Sequence, residues 1–288
     1  MRNILMASDL SSRSDRAFDR AVQLAKQFKS GLHVLHVLDE DLPPHLQDQL
    51  LDNAEKTLKA QAGRARKNVS KAKGGKAGKD GVVVAAGTPA QTILDQAKKL
   101  KADMIITGAH KKDSLCDLFI KSTAEKLLRF CEKPVLIAKL PVKGEYKNIV
   151  VGMDFSNHSL KALHMALTQY PKADIHVVHA YALPFGGLVK DRDLKDYTLD
   201  QRTDAMEKIL DALGRKLGKA KAKAFARLHL VMAEEHHPSA AIHAEARKTK
   251  ADLIIIGTHG KSDLLTGIVG SVARDMIHNS KVDVLVVK

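Results

Sequence analysis

Short unbroken runs of Ile, Val, Leu and Met recur along the chain, and between them lie longer stretches whose apolar residues return every three or four positions. A short apolar run suits a strand buried on both faces of a parallel sheet, and a 3.6-residue period suits a helix that packs one face against it. In the first half this pattern predicts strands near 3–8, 32–38, 82–86, 103–107 and 135–139, with helices near 12–28, 46–68, 89–100 and 122–130. In the second half it predicts strands near 148–153, 174–181, 228–233, 252–256 and 283–287, with helices near 157–169, 199–218, 238–248 and 271–279. Alternating β and α segments of these lengths define a doubly wound α/β class.

The halves are one pattern written twice. Asn3–Ser11 matches Asn148–Ser156 with Asp9 and Asp154 in register, Leu32–His36 matches Ile175–His179, and Ala102–His110 matches Ala251–His259. Two five-stranded parallel-sheet domains are therefore expected, at 1–142 and 143–288, joined by the Pro- and Gly-containing stretch Leu140–Tyr146.

The most informative stretch follows the fourth strand of the second copy. Leu253-Ile254-Ile255-Ile256 runs into Gly257, Gly260 follows, and Gly270-Ser271 opens the next helix, a spacing of Gly-x2-Gly-x9-Gly-Ser. Glycines let the backbone take unusual φ values or approach a ligand with no Cβ in the way, and a helix N-terminus presents free N–H groups to an anion. The stretch Gly74–Asp80 looks superficially like a P-loop, but it is one residue short, ends in Asp where Ser or Thr is needed, and follows no apolar strand.

The spacing at Gly257, Gly260, Gly270 and Ser271 resembles the ATP-binding signature of the universal stress protein family, and the resemblance extends over nearly the whole chain. It implies two Rossmann-like domains of the adenine nucleotide alpha hydrolase-like type, each with strand order 3-2-1-4-5. It also implies that strands near 135–139 and 283–287 pair edge to edge, giving an intramolecular pseudo-dimer. Strands 1 and 4 then share the crevice where chain order reverses. Carried over position by position, Asp154 and the backbone at Ala180 face adenosine. Gly257, His259 and Gly260 line the ribose and first phosphate, and Gly270, Ser271 and Val272 bind the outer phosphates. Lys261 adds charge at the rim. For Asp154 the competing role is capping the next helix, which Ser156 can fill instead; for His259 it is an exposed loop position.

The first copy has Gly108, Lys111, Lys121 and Ser122 at the aligned positions, so two glycines are replaced by lysines. Ser122-Thr123-Ala124-Glu125 reads as a capping box that sets a carboxylate where phosphate would lie, whereas the second copy has Arg274 in place of Glu125. One ATP per chain is expected, in the second copy. The alternative is that Lys111 and Lys121 hold a phosphorylated ligand by side chain.

The resemblance implies a cytoplasmic, ATP-binding stress-response regulator, with or without Mg2+, whose occupancy alters conformation or the capture of protein partners. Two tandem chains pairing further remains compatible with it. The alternatives are a slow ATPase or nucleotidyl-transfer enzyme and a nucleotide-free scaffold. Against an enzyme, the motif supplies no evident general base paired with a metal carboxylate, Asp154 and Asp263 being the only acidic residues nearby; no catalytic residue is assigned.

Composition narrows the picture further. Of 288 residues 44% are hydrophobic but only 4% aromatic, so the cores are aliphatic. No apolar run reaches the roughly 18 residues of a membrane span, and Met1–Ile4 leads straight into a strand instead of a signal segment. The net charge of +14 concentrates between Lys56 and Lys79 and between Arg215 and Lys223, at helix ends where cations complement the dipole. No aromatics interleave with these lysines, which argues against nucleic acid. Cys116 and Cys131, the only two cysteines, show neither CxxC nor metal-finger spacing and are too few for a disulfide framework. His33/His36 and His176/His179, three apart in strands, point to opposite faces and suit no shared metal; His236-His237 is a loop pair.

Overall fold

The computed structural model describes residues 1–38, 43–69, 81–109, 123–183, 192–260 and 269–288. The P-loop-like Gly74–Asp80, His110, Lys111, Cys116, Lys121, Ser122, Lys261 and Asp263 lie outside the described residues. The chain divides into two compact units, Met1–Glu145 with Lys281–Leu285, and Tyr146–Ser280 with Val286–Lys288.

In the first unit the elements run β1 (Asn3–Ser8), α1 (Ser12–Phe28), β2 (Gly31–Leu38), α2 (Pro44–Val69), β3 (Gly81–Ala86), α3 (Pro89–Lys99), β4 (Met104–Gly108), α4 (Thr123–Phe130) and β5 (Val135–Ala138). The strands lie in the order β3-β2-β1-β4-β5, with the four neighbouring pairs parallel. Ile4 sits opposite both Leu32 and Met104 in register. Ile4, Leu5, Met6, Ile105, Ile106 and Leu136 have no exposed surface, as consecutive residues on alternating faces must when helices cover both sides.

The second half of the chain repeats the plan with β6 (Asn148–Gly152), α5 (Asn157–Gln169), β7 (Asp174–Tyr181), α6 (Arg192–Leu217), a 3-10 turn (Gly218–Ala220), α7 (Lys221–Phe225), β8 (Leu228–Glu234), α8 (Pro238–Lys248), β9 (Leu253–Gly257), α9 (Ser271–Asn279) and β10 (Asp283–Val287). The order β8-β7-β6-β9-β10 reproduces 3-2-1-4-5, with β6 parallel to both β7 and β9. The structure departs from expectation at the sixth helix, which begins at Arg192 instead of 199. It ends at Leu217, because Gly218 takes φ +52°, the left-handed conformation that stops a helix, and the short α7 follows.

Two histidines have equivalent structural roles. His36 Nδ1 lies 2.8 Å from the Ser8 carbonyl at the end of β1, and His179 Nδ1 lies 2.8 Å from the Met153 carbonyl just after β6. Each ties the end of a second strand to the end of a first, which requires the proton on Nδ1. Among the described residues, no group of three or more His, Cys, Asp and Glu is placed to hold a metal ion, and no helix is long and apolar enough to cross a membrane.

Candidate functional site

At the carboxyl ends of β6, β7 and β9 the second unit encloses a cavity of about 320 Å3. Its apolar part is built by Gly152, Met153, Val178 and Ile256 with Pro238 and Ile242 of α8. Its polar part is built by Asp154, the segment Gly257–Gly260, and the first turn of α9. Of the residues singled out by sequence, Asp154, Ala180, Gly257, His259, Gly260, Gly270, Ser271 and Val272 all line this one cavity, while Lys261 lies outside the described residues. Pro238, Ile242 and Ser159 also line it and were not foreseen, since their approach depends on how α8 and α5 pack; Thr258 lines it between Gly257 and His259.

Asp154 begins a tight turn. Its Oδ1 accepts from the Ser156 amide at 3.0 Å, and its own amide donates to Ser159 Oγ at 3.4 Å. The residue between, Phe155, takes φ +62°, a conformation that is unusual for a bulky side chain. Burial pushes the Asp154 carboxyl up, but hydrogen bonds from Ser156 and Ser159 outweigh it and hold the group below the ordinary aspartate range. Ser156, not Asp154, caps α5, accepting from the Ser159 amide at 3.2 Å.

The glycines after β9 divide into two kinds. A Cβ on Gly257 would stand 2.7 Å from His158 Cβ and 2.9 Å from the His158 carbonyl carbon, so this glycine lets α5 close onto β9. Sequence reasoning assigned it to ligand approach; the contact shows that it also serves packing. A Cβ on Gly260 would instead meet Asp154 Oδ2 at 2.9 Å, at the cavity wall. His259 is half-buried, with Nδ1 3.0 Å from Thr258 Oγ1 and its carbonyl 3.4 Å from Ser156 Oγ.

Gly270 is the N-cap of α9, with its amide bonded to the Thr258 carbonyl at 2.9 Å, so Ser271 is the first helical residue. The first backbone bond of the helix is from Arg274 N to Gly270 O at 3.0 Å. The amides of Ser271, Val272 and Ala273 precede it at the cavity, where helix geometry leaves first-turn donors without an intrahelical acceptor.

The first unit keeps the acidic turn. Asp9 accepts from the Ser11 amide at 2.9 Å and from the Ser14 hydroxyl, Leu10 takes φ +59°, and burial of the Asp9 carboxyl is outweighed by bonds from Ser11 and Ser14 that lower it. Gly108 corresponds to Gly257, and its Cβ would meet Arg13 backbone atoms at 3.2 Å. Lys111, Lys121 and Ser122, the last being the first residue of the expected capping box, lie outside the described residues, and Glu125 lies in the first turn of α4.

The comparisons agree with this architecture. The model of the universal stress protein family matches residues 1–139 and again 145–288, and the chain belongs to that family. A universal stress protein of Methanocaldococcus jannaschii is 30% identical over 146 residues, covering 49% of this chain and 84% of its own length. Universal stress protein E of Photorhabdus laumondii is 24% identical over 219 residues, covering 72% of this chain and 68% of its own. Among solved structures, a universal stress protein from Archaeoglobus fulgidus superposes with a TM-score of 0.68 at 20% identity, covering 99% of this chain and 98% of that one, a likeness of fold.

Proposed function

We propose that this tandem universal stress protein is a stress-response regulator that binds ATP in the cavity of its second unit. The observation that carries the reading is the convergence of two unlike surfaces. An apolar wall of Val178, Ile242 and Ile256 suits a flat base, and the first-turn amides of α9 suit phosphate at the other end. Asp154, ionised and fixed by its serines, accepts from ligand hydroxyl or amino groups between them. Ser271 adds a hydroxyl to the amides. A protein-held Mg2+ does not fit the described residues, which offer no cluster of three ligands; any Mg2+ would arrive on the nucleotide, keeping phosphate and water oxygens.

Occupancy would alter the surface where the Gly260 turn meets the N-terminus of α9, and that surface is what protein partners read. The test is mass spectrometry of small molecules released from the denatured protein, followed by titration with ATP. Near-stoichiometric ATP, lost in a Gly260→Lys, Gly270→Lys variant, supports the reading. A protein that carries no nucleotide and refuses added ATP sinks it.

A further inference from the structure

His158 and His259 stand with ring centroids 5.5 Å apart and planes inclined by 52°. His259 lines the cavity between Thr258 and Gly260, and His158 sits beside it in the first turn of α5, its Cβ against Gly257. We propose that this pair is a proton-linked anion clamp: His259 faces the anionic part of the ligand, His158 stands beside it as the group whose charge changes, and the site takes up a proton as it fills. The proposal rests on the nucleotide reading above.

Two imidazoles this close resist being charged together, because each cation raises the cost of the other. The surroundings of His158 push the same way. Burial lowers the His158 pKa first, and His259, Lys161 of α5 and Lys288 after β10 lower it further, with only Asp154 opposing. Thr258 Oγ1 is the polar partner of His259, and Lys261 lies outside the described residues. A phosphate group at the α9 terminus would reverse this balance by favouring an imidazolium nearby.

The aligned position in the first unit reinforces the assignment. There Arg13 replaces His158 beside the same Asp-x-Ser turn, a cation that does not titrate. Only the second unit, with its glycine signature intact, has a group in this place that changes charge near neutral pH.

The sign follows from the direction of the shift. A group whose pKa rises in the complex strengthens binding as pH falls through the complex value, and the gain is complete below the free value. A one-unit rise is worth up to about tenfold in affinity well below the free value, and makes binding about fivefold tighter at pH 6 than at pH 8. Titration calorimetry of the full chain with ATP, in buffers of different ionisation enthalpy, reads proton uptake directly. The His158→Gln, His259→Gln double variant serves as reference, since ATP's own titration is common to both proteins. Wild type should take up more protons than the double variant and show the steeper pH profile. Histidine side-chain NMR of the wild type, with and without ATP, supplies a readout that does not depend on the variant folding; the His158 pKa should rise on binding. ATP bound with unchanged or lowered histidine pKa values and no extra proton uptake overturns the clamp and leaves the nucleotide reading standing. No ATP binding at any pH removes the nucleotide reading itself.

Discussion

Gly260 and Asp154 approach so closely that a Cβ on the glycine would lie 2.9 Å from Oδ2 of the carboxylate. That carboxylate is anchored by the Ser156 amide, so it cannot swing away without losing the bond. Gly260→Ala should therefore displace Asp154 and weaken ATP about tenfold, or about 1.4 kcal/mol, with little change in unfolding midpoint. Gly260→Lys, which copies Lys111 of the first unit, should abolish binding. Calorimetric titration paired with urea unfolding separates the two effects, and a Gly260→Ala protein that binds like wild type would remove Asp154 from the site.

Gly257 should behave in the opposite manner. Its Cβ would meet the His158 carbonyl carbon at 2.9 Å and the Ser159 amide at 3.0 Å, and backbone atoms yield only if α5 moves. Gly257→Ala is expected to destabilise the second unit by about 1–3 kcal/mol. Gly108→Ala, with nearest contacts at 3.2 Å, should cost the first unit less. Equal unfolding midpoints for all three proteins would contradict the packing role.

That distinction shows where the sequence was legible and where it was not. The ten strands could be read because they are short aliphatic runs, and α1, α5, α8 and α9 because apolar periodicity, caps or prolines mark their ends. The start of α6 at Arg192 was missed because the residues before 199 are largely polar and carry no apolar period. At the cavity, the glycine spacing located eight lining residues, but Ile242 and Pro238 arrive on α8 from a part of the sequence with no signature of its own. The role of Gly257 held a clue that was available: the repeat keeps it as Gly108 and replaces Gly260 and Gly270 with lysines. A glycine needed for packing survives in both copies, whereas the other two differ with the cavity's chemistry.

Acid should unfold the protein through its twin aspartates. Burial raises the carboxyls of Asp9 and Asp154, but serine hydrogen bonds prevail and leave both below the ordinary value of about 3.9. A group depressed in the folded state contributes stability above its unfolded pKa and loses it as pH falls through the folded one. Stability should thus decline below about pH 4, and Asp154→Asn should flatten that decline. His158 and His176 act in another window. Burial lowers both, aided by His259 and His229 respectively, so the unfolded chain binds protons first and stability falls as pH drops below about 6.5. Thermal midpoints between pH 3 and 8 should show both steps, and His176→Asn should diminish the upper one.

Removing Ser156 probes whether the turn holds the site together. Its hydroxyl accepts from the Ser159 amide at 3.2 Å and reaches the His259 carbonyl at 3.4 Å, linking the α5 terminus to the glycine turn. Ser156→Ala should lose about 1 kcal/mol of stability as a lost cap, and should weaken ATP because the His259 segment is released. Ser11→Ala in the first unit loses its cap on Ser14 in the same way, but should leave ATP binding unchanged. A Ser156 variant with wild-type affinity would confine the residue to capping.

The two units should differ in occupancy, and the full chain is the right object in which to count it. Residues Lys281–Leu285 belong to the first compact unit, so a fragment ending near 142 would lack part of that unit, and its failure to bind would carry no information. In the intact chain the acidic turns at Asp9 and Asp154 have matching hydrogen bonds, and so cannot by themselves decide which unit binds. The difference lies in Gly260 and Gly270 against Lys111 and Lys121. Equilibrium dialysis with ATP should therefore saturate at one nucleotide per chain and fall to none in the Gly260→Lys, Gly270→Lys variant. Saturation at two, with one site surviving that double substitution, would assign a nucleotide to the first unit, held by lysine side chains in place of a glycine loop.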